Sequence, residues 1–294
     1  MNARRVLIGL IGANIQGSLS PALQEDACAA AGLRGYYHLM DLDKLPGRRL
    51  PDLVSAVRSA GFRGVNVTFP CKEAVIPLLD EVSAEARQIG AVNTVTIDPA
   101  GRMVGYNTDR IGFRSSFEET LGTDAIAGKT AVQIGAGGAG RAVAFALMDM
   151  RVATLLVHDR DVSRSSQLVA ELAVHFGAER CRLIEDPALA MRNAAGVVNA
   201  TPTGMSGFPG CPIEPGALAA EHWVADIVYT PVETELVKAG RRVGARVMTG
   251  AGMCVHQGAS SFRLFTGAEV SVPRMHEVFA QALALRDGAG APSP

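Results

Sequence analysis

The chain has 294 residues, which exceeds a typical single domain of about 100–200 residues and favours two domains. Hydrophobic residues make up 48% of the chain and charged residues 19%, so the composition favours packed cores and excludes a disordered chain. The formal net charge of −1 gives no electrostatic basis for binding nucleic acid or an anionic membrane, and no apolar stretch reaches the roughly 20 residues of a membrane-spanning helix.

The first residues and the cysteines indicate where the protein works. Two arginines followed by an apolar run resemble a signal peptide, but Gly9 and Gly12 interrupt the run and no cleavage site of small residues follows. The five cysteines are odd in number and form no CxxC spacing, so neither a disulfide framework nor a zinc site is indicated. We expect a cytoplasmic protein with reduced thiols and no metal.

Short apolar runs alternate with helix-length amphipathic segments along the chain. The predicted strands cover residues 6–11, 36–41, 64–68, 130–134, 154–159, 197–200, 223–227 and 246–249. The predicted helices between them include residues 21–31, 52–60, 139–150 and 163–176. This alternation predicts an α/β protein with parallel sheets covered by helices on both faces.

The alternation changes around residues 91–107, which read as two strands joined by a Pro-Ala-Gly turn and predict a hairpin. A predicted helix follows the hairpin and could carry the chain into a second unit. We therefore expect a boundary near residues 110–125, with the second sheet beginning at Thr130.

A glycine-rich turn stands between a predicted strand and a predicted helix. Gly135, Gly137 and Gly140 form the pattern GxGxxG, in which the first glycine allows the tight turn, the second lets the backbone approach a pyrophosphate, and the third permits close packing. The following helix directs its free amides at the phosphates. The turn therefore predicts a dinucleotide site, although a glycine turn can also be purely geometric.

Asp159 and Arg160 indicate which dinucleotide binds. Asp159 ends the next strand, where a carboxylate bonds the adenosine ribose and repels a 2′-phosphate, which favours NAD. Asp161 adds a second negative charge. Arg160 could hold the 2′-phosphate of NADP, or be a solvated loop residue. We predict NAD, with NADP as the lesser alternative.

Polar motifs follow the predicted strands of the first half. Ser18 and Ser20 stand two residues apart after the first strand, although Ser20 followed by Pro21 also suits an ordinary helix start with Ser20 as the N-cap. Thr68 ends the third strand, and Lys72 follows at the expected start of a helix, where the helix dipole disfavours a cation. Such a lysine is either functional or an ordinary surface residue. Ligands of open α/β sheets bind at the carboxyl ends of strands, so these positions favour a binding site.

Further polar residues stand at other predicted strand ends. Asn107 and Asp109 end the hairpin, and Asp109 also suits the start of a helix as an ordinary cap. Tyr229 lies at a strand end, and Gln257 lies on a helix after a glycine turn. Each has a structural explanation of its own, and their combination favours a site.

Over nearly its full length the chain resembles the shikimate/quinate dehydrogenase family. The matching motifs stand in the same order: SxSP at 18–21, NVTxPxK at 66–72, GAVNT at 90–94, GYNTDxxG at 105–112, GAGGAGRA at 135–142, Asn-Ala-Thr-Pro at 199–202, DIVYTPxET at 226–234 and Gly-x-x-Met-x-x-x-Gln at 250–257. The resemblance implies two domains with a cleft between them. An N-terminal α/β substrate domain with a mostly parallel sheet, residues 1–112, is completed by C-terminal helices at 253–288, and residues 113–252 form a Rossmann dinucleotide-binding domain.

The resemblance also implies residue roles. Ser18 and Ser20 would bind the carboxylate of a cyclohexane or cyclohexene acid, and Lys72 and Asp109 would be catalytic. Further substrate contacts are implied for Thr68, Asn93, Asn107, Tyr229 and Gln257. Cofactor contacts are implied for Ala136, Gly137, Gly138, Ala139 and Asp159, and beside the nicotinamide for Thr201, Ile227, Gly250 and Met253.

The chain departs from the NADP-specific biosynthetic branch at two places. That branch typically carries Asn-Arg-Thr where this chain has Asp159-Arg160-Asp161, and a lysine where this chain has Leu19. Both differences resemble NAD-using quinate/shikimate enzymes. The implied reaction is reversible hydride transfer between NAD and a ring hydroxyl of shikimate or quinate, in which Lys72 moves the proton and Asp109 holds the hydroxyl.

Two other functions remain open from the sequence. One is a dehydrogenase for a related substrate such as an aminoshikimate, and the other is a non-catalytic sensor of NAD and a cyclohexane acid. Lys72 and Asp109 speak against the sensor, which needs no proton shuttle. We expect a small-molecule substrate, no nucleic-acid or membrane partner, and a monomer or homodimer.

Overall fold

The computed structural model describes residues 4–289, which divide into two compact units. Unit 1 comprises the described residues up to Thr108 and those from Val255 onward, and unit 2 comprises Asp109–Cys254. The domains expected from the sequence, 1–112 with 253–288 and 113–252, stay a prediction. Within the described residues, no helix is both long enough and apolar enough to cross a membrane.

The strands and helices are numbered here in chain order. The strands are β1 Arg5–Gly12, β2 Arg34–Asp41, β3 Gly64–Val67, β4 Glu81–Val82, β5 Thr94–Ile97, β6 Met103–Tyr106, β7 Thr130–Ile134, β8 Thr154–His158, β9 Cys181–Leu183, β10 Gly196–Asn199, β11 Trp223–Asp226 and β12 Arg246–Met248. The helices are α1 Ser20–Ala30, α2 Leu50–Ser59, α3 Ala84–Ile89, α4 Asp109–Thr120, α5 Gly138–Asp149, α6 Val162–Phe176, α7 Pro187–Ala190, α8 Glu235–Arg242, α9 Gly250–Thr266 and α10 Val272–Ala289.

The sheet of unit 1 has the strand order β2-β1-β3-β5-β6-β4. Its pairs are parallel except where β5 runs antiparallel to β3 and to β6, so the predicted hairpin is confirmed. The carboxyl ends of β1, β3 and β6 and the amino end of β5 therefore lie along one edge. The residues that follow or precede these strand ends belong to the polar motifs.

Apolar side chains cover both faces of this sheet. Val6, Ile8 and Leu10 of β1 pack with Phe262 and Phe265 of α9. Residues of β3 and β5 pack with α2 in a second buried cluster. Each fully buried side chain of this size contributes about 1.5–3 kcal/mol of hydrophobic stabilisation. The predicted covering of the sheet by helices on both faces is confirmed.

The sheet of unit 2 is fully parallel, with the order β12-β11-β10-β7-β8-β9. Read from β9, this is the order 3-2-1-4-5-6 of the doubly wound dinucleotide-binding fold. The chain reverses its direction of winding between β7 and β10, which is the point where ligands of such folds bind. The predicted Rossmann topology is confirmed.

Candidate active site

The loop after β1 approaches the end of β3 closely. A Cβ atom at Gly12 would lie 2.4 Å from Cγ2 of Thr68, so this position accepts no side chain in the observed packing. The backbone amide of Thr68 donates to the carbonyl of Ile11 at 2.9 Å, and the amide of Ala13 donates to the carbonyl of Phe69 at 2.9 Å. The two strand ends thus present their loops side by side at the polar edge.

Asp41, the last residue of β2, fixes the loop that leads to the two serines. Its carboxylate accepts hydrogen bonds from the backbone amides of Asn14 and Ile15 and from the side chain of Gln16, at 3.0–3.2 Å. Burial would raise the pKa of Asp41, but the hydrogen bonds from Gln16 and the backbone amides outweigh it and lower that pKa. The charged form of Asp41 therefore stabilises this loop.

Ser18 and Ser20 are half-buried where α1 begins. The Ser18 hydroxyl oxygen accepts a hydrogen bond of 3.2 Å from the backbone amide of Ser20. Ser20 is the first residue of the helix and not its N-cap, and the preceding Leu19 provides no side-chain cap. The interpretation of Ser20 as an ordinary N-cap is therefore wrong.

The segment from Thr68 to Lys72 turns sharply after β3. The Phe69–Pro70 peptide bond is cis, and the amide of Cys71 donates to the carbonyl of Thr68 at 2.8 Å. Lys72 lies in a turn, and the next helical segment is the short 3-10 helix Ile76–Leu78. The expected helix start at Lys72 is therefore wrong, and the argument from a helix dipole does not apply. The Lys72 carbonyl instead accepts from the Val92 amide at 2.8 Å, which joins this turn to the segment that leads into β5.

Asn93 belongs to a buried polar network. Its Oδ1 accepts from the Thr108 amide at 2.7 Å and from the Thr94 hydroxyl at 3.0 Å, and its Nδ2 donates to the Thr108 hydroxyl at 2.9 Å. Asn93 and Thr108 are each only 3% exposed. Thr108 directly precedes Asp109 in the chain, so Asn93 holds the backbone from which the predicted catalytic aspartate projects.

Asn107 and Gln257 lie next to this network. The Asn107 side chain donates to the carbonyl of Ala91 at 2.9 Å, and the Thr108 hydroxyl lies 3.5 Å from Oε1 of Gln257. Of the residues predicted to bind substrate, unit 1 holds Ser18, Ser20, Thr68, Asn93, Asn107 and Gln257, together with Lys72. Tyr229 and Asp109 belong to unit 2.

The glycine-rich turn of unit 2 follows β7. Gly135 has φ of +106°, and a Cβ there would lie 2.6 Å from the carbonyl oxygen of Ala200. A Cβ at Gly140 would lie 2.3 Å from the carbonyl oxygen of Gly135. The buried Gln133 side chain donates to both of these glycine carbonyls at 2.8 Å. Only glycine fits these two positions, as predicted for the tight turn and the close packing.

Gly137 has more space around its Cα atom than Gly135 and Gly140, the other two glycines of the GxGxxG motif. A Cβ there would meet only Nη1 of Arg164, at 3.7 Å, and its φ of −75° is accessible to any residue. The protein's own packing therefore does not require glycine at this position. Gly137 is the N-cap of α5, where Gly138, Ala139 and Gly140 form the first turn. Space and free backbone amides at a helix start are what a pyrophosphate requires.

Asp159 links the glycine-rich turn to the loop after β8. Its carboxylate accepts from the Ala136 amide at 2.7 Å and from the Asp161 amide at 2.9 Å. Asp161 caps α6 by accepting from the Ser163 amide, whereas Arg160 is exposed. The two acids of this loop therefore differ in role, since Asp159 lies against the glycine-rich turn and Asp161 against the helix.

A second buried network lies at the ends of β10 and β11. Asp226 is fully buried, and its carboxylate accepts from the side chain of Asn199 at 2.9 Å, from the Thr234 hydroxyl at 2.7 Å and from the Val228 amide at 3.0 Å. Oδ1 of Asn199 accepts from both the amide and the hydroxyl of Thr201, at 3.0 and 2.7 Å. Burial raises the pKa of Asp226 to about 6, although its three hydrogen bonds act in the opposite direction.

The remaining predicted residues of unit 2 lie around the start of α9. A Cβ at Gly250 would lie 2.4 Å from the carbonyl oxygen of Ile227, so the helix begins directly against that backbone. Met253 is buried on the first turn of α9, and Tyr229 is half-buried beyond β11. Asp109 is the first residue of α4 and is 5% exposed.

Comparison with known proteins identifies the family. Residues 10–95 match the model of the shikimate dehydrogenase substrate binding domain, and residues 250–278 match that of the shikimate 5′-dehydrogenase C-terminal domain. The chain is 44% identical to the NAD(+) quinate/shikimate dehydrogenase of Corynebacterium efficiens, over 95% of this chain and 99% of that protein. The chain belongs to the shikimate/quinate dehydrogenase family.

Other members of the family extend the likeness. The NADP(+) shikimate dehydrogenase of Streptomyces avermitilis is 43% identical over 92% of this chain and 93% of its own length. The structure of quinate dehydrogenase from Corynebacterium glutamicum in complex with NAD superposes with a TM-score of 0.85 and 42% identity, over 95% of this chain and 100% of that chain. The expected family membership, two-sheet fold and dehydrogenase class are confirmed.

The sequence analysis predicted only part of the hydrogen bonding that the structure shows in the candidate site. Sequence reasoning missed the roles of Asp41, Thr108, Asn199 and Asp226 as buried or partly buried hydrogen-bonding residues. A signal was present for two of them, because Asn199 and Asp226 are polar residues one position before the carboxyl ends of predicted apolar strands. Such residues need buried partners, and each provides the other with one.

Proposed function

We propose that the protein oxidises a ring hydroxyl of shikimate or quinate with NAD, and catalyses the reverse reduction of the corresponding dehydro acids. The observation that carries the cofactor assignment is the carboxylate of Asp159 at the carboxyl end of β8, bonded to the glycine-rich turn through Ala136. An acid there bonds ribose hydroxyls and repels a 2′-phosphate. NADP is the weaker alternative, in which exposed Arg160 would bind the 2′-phosphate.

The residues of unit 2 fit this dinucleotide. Gly135 to Gly140 and the start of α5 would hold the pyrophosphate, Asp159 the adenosine ribose, and Thr201, Ile227, Gly250 and Met253 would flank the nicotinamide. When bound, NAD accepts a hydride from the carbon that carries the substrate hydroxyl. The Thr201 hydroxyl donates to Asn199, whose own side chain donates to Asp226.

The residues of unit 1 fit an acid with several hydroxyls. Ser18 and Ser20 would bind the substrate carboxylate, with Tyr229 near it. Thr68, Asn93, Asn107 and Gln257 would bind ring hydroxyls or hold the groups that do. In oxidation Lys72 accepts the proton of the reacting hydroxyl, and in reduction it returns that proton. Asp109 holds the same hydroxyl and orients it toward the lysine.

A related substrate, such as an aminoshikimate, is the alternative within enzymes. A non-catalytic sensor is the alternative outside enzymes, and the half-buried Lys72 together with the buried Asp109 speaks against it. We further propose a cytoplasmic enzyme that is a monomer or homodimer and has no nucleic-acid or membrane partner.

Steady-state assays of shikimate and quinate with NAD and with NADP test this function. Absorbance of the reduced nicotinamide gives kcat and KM for each of the four pairs. We expect turnover with NAD and a higher kcat/KM for NAD than for NADP. A folded protein that binds NAD but turns over none of the pairs would favour another hydroxy acid or the sensor.

A further inference from the structure

Arg110 and Asp149 form a partly buried ion pair in unit 2. Nε of Arg110 donates to one carboxylate oxygen of Asp149 and Nη2 donates to the other, both at 2.7 Å. The two side chains are only 15% and 22% exposed, and the guanidinium carbon lies 5.4 Å from the centre of the buried Phe145 ring. A bidentate pair with this shielding is stronger and more directional than an exposed one.

Each charge of this pair is unfavourable in its own helix. Arg110 is the second residue of α4, where the positive end of the helix dipole disfavours a cation. Asp149 is the last residue of α5, where the negative end disfavours an anion. Local helix stability therefore explains neither residue. Their bidentate ion pair joins the start of α4 to the end of α5.

The two helices carry different parts of the proposed reaction. Helix α4 begins with Asp109, the proposed catalytic aspartate, and α5 begins at the glycine-rich turn proposed for the pyrophosphate. We infer that Arg110, held by Asp149 and Phe145, is a positioning residue that fixes Asp109 relative to the cofactor helix. This inference rests on the proposed function of Asp109.

The rest of α4 is held independently of Arg110. Phe113 and Phe117 are fully buried, and the Phe117 ring meets the Trp223 ring edge-on, with centroids 5.0 Å apart. Removal of Arg110 should therefore loosen the first turn, which contains Asp109, while the helix remains in place. Small displacements of a catalytic group are sufficient to lower turnover strongly.

The test compares four variants with the wild type: Arg110→Ala, Arg110→Lys, Asp149→Asn and the double variant Arg110→Ala/Asp149→Asn. We expect Arg110→Ala to lower kcat about tenfold, with KM for NAD within about twofold. Lysine should recover part of the loss, since it keeps the charge but cannot form the bidentate pair. The double variant should lose no more than Arg110→Ala, because the two residues act as one unit.

Arg114→Ala is the matched control, because Arg114 pairs with Glu118 on the same helix but is 45% exposed. It should leave kcat unchanged. If Arg110→Ala does not fold, kcat of Arg110→Lys and of Asp149→Asn is compared with that of the wild type and of Arg114→Ala instead. Equal kcat values for these variants and Arg114→Ala, alongside an inactive Asp109→Asn, would overturn this inference alone. A loss of Tm and of NAD affinity in Arg110→Ala that is large enough to explain its lower kcat would also overturn this inference. A wild type without turnover on any substrate pair would instead overturn the proposed function, and this inference with it.

Discussion

The carboxylate of Asp159 accepts a hydrogen bond of 2.7 Å from the backbone amide of Ala136 in the glycine-rich turn. Its other oxygen accepts from the Asp161 amide at 2.9 Å. A carboxylate offers about four acceptor positions, so two remain for ribose hydroxyls. The same negative charge repels a 2′-phosphate at this place.

Replacement of Asp159 by asparagine should shift cofactor preference toward NADP. The amide retains one acceptor oxygen for the Ala136 amide but removes the negative charge. We expect the ratio of kcat/KM for NAD to that for NADP to fall at least about tenfold, which corresponds to about 1.4 kcal/mol. Asp161→Asn is the control, since the Asp161 side chain caps α6 by accepting from the Ser163 amide. An unchanged ratio in Asp159→Asn, or an equal shift in both variants, would count against the ribose role.

Removal of either proposed catalytic group should lower turnover. We expect Lys72→Met and Asp109→Asn each to lower kcat by about 10²-fold or more, the usual contribution of a general acid–base group. Lys44→Met is the control for the lysine, because Lys44 is exposed and belongs to the same unit. Circular dichroism and Tm establish that the variants fold. Near-normal turnover in a folded Lys72→Met would show that another group moves the proton.

Most of the fold could be predicted because its strands are apolar and its helices amphipathic. The predicted strand 130–134 coincides with β7, and the others differ from the observed bounds by one or two residues at their ends. Strands β4 and β9 were not predicted, since they have only two and three residues and are too short to show an alternation of apolar and polar residues. The periodicity of apolar residues alone does not predict strand order, because the order depends on which strands pair in three dimensions.

The candidate site was predicted less completely than the fold. The turn at Lys72 was mistaken for a helix start, because Pro70 suits a helix start as well as it suits the observed turn. Asn199 and Asp226 are 27 residues apart, and their pairing follows from the register of β10 beside β11, which the sequence does not reveal. Buried polar networks are difficult to predict from local patterns for this reason.

Two glycines of the same motif should respond differently to alanine. Gly135→Ala introduces a Cβ at φ of +106°, 2.6 Å from the Ala200 carbonyl oxygen, and should lower the free energy of unfolding by at least about 2 kcal/mol. Gly137→Ala meets no such obstacle within the protein and should change that free energy by less than about 1 kcal/mol. Its methyl group would occupy space proposed for the pyrophosphate, so the Kd for NAD should rise at least about tenfold.

Urea unfolding and calorimetric NAD titration of the two glycine variants measure these effects separately. The informative comparison is within Gly137→Ala, where stability and affinity should diverge. If Gly137→Ala bound NAD as tightly as the wild type, the pyrophosphate would not pass close to Gly137. If it lost as much stability as Gly135→Ala, the glycine would be required by the fold.

Asp226 should make the stability of the protein depend on pH. Burial raises its pKa from the ordinary value of 3.8 to about 6, so between these values the folded state binds more protons than the unfolded state. The contribution of this group to the free energy of unfolding is therefore fully present below about pH 4 and is lost as pH rises through 6. Since one pKa unit corresponds to about 1.4 kcal/mol, the expected loss is about 3 kcal/mol.

Asp226→Asn removes the titration and provides the reference for this measurement. Asparagine has nearly the same shape, but its amide nitrogen cannot accept a hydrogen bond as the hydroxyl oxygen of the protonated carboxyl can, so the variant should be less stable than the wild type at pH 4. The difference in free energy of unfolding should then shift in favour of the variant by about 3 kcal/mol between pH 4 and pH 7. Urea unfolding of both proteins across this range gives the difference directly. A shift of opposite sign would mean that the hydrogen bonds from Asn199, Thr234 and the Val228 amide stabilise the ionised carboxylate more than burial destabilises it.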